Sequence, residues 1–174
     1  AVRPKVNGKV VSCPFYVAWV NMLKRCYCPK YQQTHKTYIG CSIAFEWRLF
    51  SNFKSWMTDQ DWKGKSLDKD ILNQHNKIYS SLTCIFVNKH INAILTNHAI
   101  KRGNHPLGVT FVKSIGKYRA QCNTYSKHNN IGYYASSEEA YEAYKKFKYK
   151  YIAEVANQQS EPLRTALLNY VIEG

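Results

Sequence analysis

Between Pro14 and Tyr27 the apolar residues Phe15, Trp19, Met22, Leu23 and Cys26 recur at the spacing of one helix face. The stretch "PFYVAWVNMLKRCY" is therefore expected to form an amphipathic helix. "CPKYQQTHKTY" is polar and predicts a loop. "YIGCSIAFEWRLFSNFKSWM" opens with strand-like residues and turns helical, placing Trp47, Phe50, Phe53 and Met57 on one face with Trp56 beside them. "KSLDKDIL" and "IYSSLTCIFV" predict two strands joined by the turn "NQHNK". "NKHINAILTNHAI" predicts a helix that Asn88 caps. Farther on, turn residues separate predicted strands at 109–113, 117–123 and 130–134. Ser136 or Ser137 then caps a helix with Glu138 and Glu139 in its first turn. Ala140, Tyr144, Phe147 and Tyr151 mark the inward face expected for that helix. Leu163, Ala166, Leu167 and Tyr170 predict a short closing helix, packed on the same module or on a partner subunit.

Gly103, Pro106 and Gly108 punctuate the basic stretch "NHAIKRGNHPLGV" and divide the chain. The predicted organisation is a module over 1–98, a linker over 99–104 and a second module over 105–174. The fold class expected is α+β. Neither half is acidic: 14 Lys and Arg face 5 acids in the first hundred residues, and 11 face 6 in the rest. A net charge of +14 on 174 residues favours a polyanionic partner through counterion release. The 14 tyrosines add side chains with an apolar body and a polar tip, suited to wet interfaces. No apolar run reaches the roughly 18 residues of a membrane span, and "AVRPKVNGKVV" lacks the apolar core of a secretion signal. The six cysteines then suggest thiols or metal ligands in a reducing compartment rather than disulfides.

Candidate chemistry concentrates in two places. Asp68 and Asp70 alternate with Lys69, so on a strand both carboxylates share a face. With Asn92 downstream they form an oxygen-donor set that suits Mg²⁺. Cys26, Cys41 and Cys84, with Cys28 or a histidine as fourth ligand, suit Zn²⁺. They also suit burial as small hydrophobes, and the "CYC" spacing favours burial. In the second module, if Ala120 and Cys122 face the helix, then Arg119, Gln121 and Asn123 face away, as donors and acceptors for base edges.

The first stretch, from residue 16 to 92, resembles the phage HNH-type (ββα-metal) endonucleases. The resemblance rests on Trp19, Met22, Arg25 and Cys26; on Cys41, Trp47, Phe50 and Phe53; on the segment "LDKDILNQHNKIYSSLTCIFV"; and on Asn92. It implies a ββα-metal module that hydrolyses DNA with Mg²⁺ or Mn²⁺. Asp68, Asp70 and Asn92 are the metal-ligand candidates. Lys69 stands where many members carry the catalytic histidine, which leaves Lys69, His75 and Tyr79 as candidates for base or phosphate contact.

The segment "GVTFVKSIGKYRAQCNTYSKHNNIGYYASSEEAYEAYKKFKYKYI" resembles an AP2 DNA-binding module, through "GV" at 108–109, "GKYRAQ", "IGYY" and "SSEEAYEAY". The resemblance implies a three-stranded sheet on one helix that reads double-stranded DNA. Lys113, Lys117 and Lys127 would hold phosphates, and Arg119, Gln121, Asn123, His128 and Asn130 would face the bases. The pair of resemblances implies a site-specific homing-type endonuclease working in the cytoplasm of a phage-infected bacterial cell. Two other classes fit the same residues: a DNA-binding protein derived from such a nuclease without catalysis, and an RNA-binding module.

Overall fold

The computed structural model describes residues 5–6, 9–10, 12–95, 105–125 and 127–172. The chain is mixed α+β with small sheets, and it divides into two compact units, Ala1–Val87 and Asn88–Gly174. No helix among the described residues is long and apolar enough to cross a membrane.

The first unit opens with two short antiparallel strands, β1 (Lys5–Val6) and β2 (Lys9–Val10). Helix α1 (Pro14–Tyr27) follows, with proline at its start, where a missing N–H costs nothing. Where a loop was expected, the chain forms α2 (Pro29–Thr34) and a 3₁₀ turn at Lys36–Tyr38. Pro29 starts that helix. The Gln32 amide fastens it by donating to the carbonyls of Cys26 (2.8 Å), Arg25 (3.0 Å) and Tyr38 (3.3 Å). Strand β3 (Ser42–Ile43), a 3₁₀ turn at Phe45–Arg48 and α3 (Phe50–Thr58) match the expected change from strand to helix. Trp47, Phe53 and Met57 are buried with Met22, Leu67, Tyr79 and Phe86, while Phe50 stays half-buried.

The expected hairpin is rearranged. Strand β4 (Ser66–Asp68) pairs antiparallel with β6 (Ile85–Val87), not with the residues just after the turn. Those residues form β5 (Ile78–Tyr79), which pairs parallel with β3. One predicted strand is thus two, split at a turn where Thr83 Oγ1 donates to the Ile78 carbonyl (2.7 Å) and Cys84 N–H to the Ser80 carbonyl (3.0 Å).

The second unit begins with α4 (Lys89–Leu95), capped as expected: Asn88 Oδ1 accepts the Ile91 N–H at 3.0 Å. The remainder predicted for this helix, 96–100, lies outside the described residues. Within the unit His90 Nε2 meets Tyr151 Oη (2.9 Å), and Tyr170 Oη donates to the Leu95 carbonyl (3.0 Å). So α4 is held by the second unit, although the sequence suggests it closes the first.

Strands β7 (Val109–Val112), β8 (Lys117–Asn123) and β9 (His128–Tyr134) form an antiparallel sheet in that order. Helix α5 (Ser137–Ala156) packs across it. Ser136 is its cap, accepting the Glu139 N–H at 3.1 Å. The inward stripe is Ala140, Tyr144, Lys148 and Ile152, every fourth residue. Phe147 and Tyr151, expected inside, are only half-buried and line a side groove with Thr124, Tyr125, Lys150 and Glu154. Helix α6 (Leu163–Leu168) buries Leu163 and Leu167 and packs on α5.

Candidate nucleic-acid interface and carboxylate loop

The loop from Asp68 to Ser80 is built by its own polar side chains. Asp68 ends β4, and its Oδ1 accepts the N–H groups of Asp70 and Ile71, both at 2.9 Å. This Asx turn bends the chain out of the strand. Lys69 consequently turns inward and is only 5 % exposed. Its ammonium donates to Asp70 Oδ2 and to the Asn76 carbonyl, each at 2.8 Å. Asn76 donates back to the carbonyls of Lys69 (2.6 Å) and Ile78 (2.7 Å). The two acids meet through a turn beyond the strand end, rather than by sharing a strand face as alternation predicts.

This geometry separates the catalytic candidates. Lys69 is a buried ammonium holding a carboxylate and a carbonyl, and it offers no lone pair. Tyr79 is 1 % exposed, and burial drives its phenol far above the ordinary range, opposite to what a base requires. His75 sits exposed in the turn at φ 65°. Asn92 is half-buried on α4 in the second unit.

The carboxylates satisfy part of what a divalent ion needs. Asp68 Oδ1 and Asp70 Oδ2 are occupied by the bonds above. Burial, and then the charge of Asp70, push the Asp68 carboxyl up to about 6. A cation would relieve that crowding of negative charge. Mg²⁺ typically takes one or two carboxylates and completes its shell with water and phosphate oxygens. Two acids therefore suffice for it, although among the described residues no three His, Cys, Asp or Glu side chains are placed to hold a metal.

The Asp68 shift has a measurable consequence. The folded chain holds a proton between pH about 4 and about 6 that the unfolded chain has released. This contribution to stability is full below the lower value. It is lost as pH rises through about 6 and is level above that. Denaturant titrations from pH 3.5 to 7.5 should show the wild type losing stability relative to Asp68→Asn across that window. A constant difference between the two would contradict the assignment.

Cys26, Cys41 and Cys84 lie in the apolar core of the first unit. Burial pushes the Cys26 and Cys84 thiols up to about 12 and raises that of Cys41. Their apolar setting suits small packing groups, and among the described residues no three His, Cys, Asp or Glu side chains are placed to hold a metal.

In the second unit the sheet face opposite α5 is a polar ladder. Ala120 and Cys122 are buried under the helix, so Arg119, Gln121 and Asn123 point the other way. The pairing adds cross-strand neighbours: Arg119 lies between Thr110 and Tyr133, Gln121 beside Asn130, and Asn123 beside His128. A bulge between Ala120 and Gln121 shifts the β9 register and brings Asn130 and His128 onto this face. His128 Nδ1 and Asn123 Oδ1 hydrogen-bond each other. Lys113, Lys117 and Lys127 are exposed at the ends of the strands. Thr110 and Tyr133 belong to the face but were not among the sequence candidates; alternation along β7 and β9 was the signal for them.

Two polar atoms on this face stand out. Arg119 Nε and Gln121 Oε1 are inaccessible to solvent and find no hydrogen-bond partner among the described residues. Leaving a buried polar group unpaired costs about 1–3 kcal/mol.

No protein-family model, curated protein or solved structure matches the chain.

Proposed function

We propose that the protein is a metal-dependent, site-specific DNA endonuclease, in which the second unit reads duplex DNA and the first cuts it. The observation that carries the reading is the helix-free sheet face, a polar row of Arg119, Gln121, Asn123, His128 and Asn130 beside exposed lysines. Sheets of this size enter the major groove, where base edges present distinct donor and acceptor patterns. Lys113, Lys117 and Lys127 supply phosphate contacts that fix register. A charge of +14 supplies affinity for any polyanion, and the polar face supplies selectivity.

In the first unit Asp68 and Asp70 would hold Mg²⁺ or Mn²⁺. Bound there, the ion would offset charge developing at the scissile phosphate. The chain's own contribution is positional. Backbone N–H groups orient Asp68, Lys69 fixes Asp70, and His75 is the outward side chain of the loop for accepting a proton from water. A small loop site has little base selectivity of its own, so a tethered reader raises its effective concentration at one sequence. A second reading, a DNA-binding protein without cleavage, is favoured by the burial of both Lys69 and Tyr79.

Supercoiled plasmid cleavage with Mg²⁺, Mn²⁺ or EDTA decides between them. EDTA-sensitive nicking is expected. Tight binding without cleavage under any metal would leave the non-catalytic reading. Binding measured across salt concentrations checks the phosphate contacts. Each of Lys113→Ala, Lys117→Ala and Lys127→Ala should reduce the slope of log K against log salt by roughly 0.9, at every DNA sequence tested.

A further inference from the structure

Along α5, Phe147, Lys150, Tyr151 and Glu154 follow one another at i, i+3, i+4 and i+7, so they share one face of the helix. With Thr124 and Tyr125, from the turn between β8 and β9, they line a groove of about 310 Å³. That is the lower end of the roughly 300–1,000 Å³ typical of small-molecule sites.

Hydrogen bonds fix the groove's shape. Tyr151 Oη accepts the Tyr125 N–H at 2.9 Å and meets His90 Nε2 at 2.9 Å. The His90 ring packs at a steep angle against that of Tyr125, with centroids 4.5 Å apart. The Tyr151 hydroxyl is thus occupied, and its ring serves as apolar lining beside Phe147. Tyr125 is the opposite case: it is 80 % exposed and offers a flat apolar surface to whatever enters. Lys150 and Glu154 are exposed, and neither forms an ion pair among the described residues. The lysine precedes the glutamate, the weaker of the two i,i+4 orders. The two charges stand one helical turn apart, about 6 Å along the axis.

A ligand that uses every part of this lining has a flat ring, an anionic group and, about 6 Å from the anion, hydrogen-bond donors. A cation would meet the rings and Glu154 but be repelled by Lys150. A small inorganic anion would leave the rings unused and face Glu154. A ribonucleotide has all three features. Its base stacks on aromatic side chains whatever its identity. Its phosphate pairs with an ammonium, and ribose hydroxyls donate to a carboxylate, as they do in dinucleotide sites.

We infer that this groove binds a ribonucleotide, with the base on Tyr125, the phosphate on Lys150 and the ribose hydroxyls on Glu154. The site shares no residue with the helix-free sheet face or with the Asp68 loop. Two sources present the same chemistry: a free nucleotide, and the last nucleotide of an RNA strand, which keeps both ribose hydroxyls.

The test is calorimetric titration of the full chain, in EDTA, with adenosine 5′-monophosphate, its 2′-deoxy analogue, adenosine and inorganic phosphate. Saturable binding of the monophosphate at one site is expected. The deoxy analogue and adenosine should each bind at least about 10-fold more weakly, and inorganic phosphate should show no saturable binding. Tyr125→Ala should weaken the monophosphate by about 5- to 150-fold. Glu154→Ala should bring it down to the affinity of the deoxy analogue. Both side chains are exposed, and the Tyr125 bond to Tyr151 is made by its backbone, so the fold should persist, which circular dichroism checks. A short oligoadenylate, with an ordinary or a 3′-deoxy end, separates the sources. A preference for the ordinary end that Glu154→Ala abolishes would assign the groove to strand ends. Equal binding of the two strands, with the monophosphate bound as expected, would assign it to the free nucleotide. Equal affinity for the monophosphate and its deoxy analogue would overturn the inference. So would binding that survives Tyr125→Ala, or no saturable binding of either the monophosphate or the strand.

Discussion

Gly108→Ala is expected to destabilise the second unit by about 2–5 kcal/mol, a large share of what a small domain possesses. Gly108 precedes β7 at φ +77°, where alanine is strained. A Cβ there would lie 2.1 Å from Cδ2 of Tyr144 and within 2.6 Å of two further ring atoms. The ring has no room to retreat, because Tyr144 is buried between α5 and the sheet. The backbone is held as well, since the Gly108 carbonyl accepts the Gln121 N–H at 2.8 Å. Strain of about 1–2 kcal/mol and overpacking of about 1–3 add to this. Gly116→Ala is the control. It has similar strain at φ +62° but nothing within 4 Å of its Cβ, so a cost of about 1 kcal/mol is expected. All four tryptophans lie in the first unit, so their fluorescence reports there, while far-UV dichroism reports on both. The Gly108 variant should lower the dichroism transition and leave the fluorescence transition in place. Equal effects from the two substitutions would mean that the Tyr144 contact is unimportant.

Asp68→Asn should separate folding from chemistry. The amide retains the oxygen that accepts the Asp70 and Ile71 N–H groups, so the turn persists. It also removes a charge whose burial is unfavourable, so stability at pH 7.5 should equal or exceed that of the wild type. On the metal-site reading proposed above, plasmid cleavage should nonetheless fall by at least about 100-fold, because losing a metal ligand costs more than losing the groups that orient one. Asp68→Ala should lose both cleavage and about 1–3 kcal/mol, through two unpaired N–H groups. Normal cleavage by the asparagine variant would refute metal binding at Asp68. A destabilised asparagine variant would show that the charge itself holds the loop.

The sequence by itself determined most helices and the three-stranded sheet. Helix α1 needed only the spacing of Phe15, Trp19, Met22 and Cys26, and α5 only Ser136 and the acids after it. These are local signals, set by backbone geometry within one or two turns. Arg119, Gln121 and Asn123 were legible on one face for the same reason, since strand alternation is local. Only the tertiary structure decided the rest. Periodicity does not specify partners, so the pairing of β4 with β6 and of β5 with β3 was hidden. Lys69 turned inward because Asp68 and Asn76 bend the loop around its ammonium, through contacts that run from Asp68 to Asn76. Asn130 and His128 reached the helix-free face because a bulge offsets β9 by one residue, and such an offset reverses every side chain beyond it. Helix α4 joined the second unit because its carbonyl and imidazole partners, Tyr170 and Tyr151, lie more than sixty residues downstream. Short-range patterns carry no information about contacts at that distance; packing supplies it.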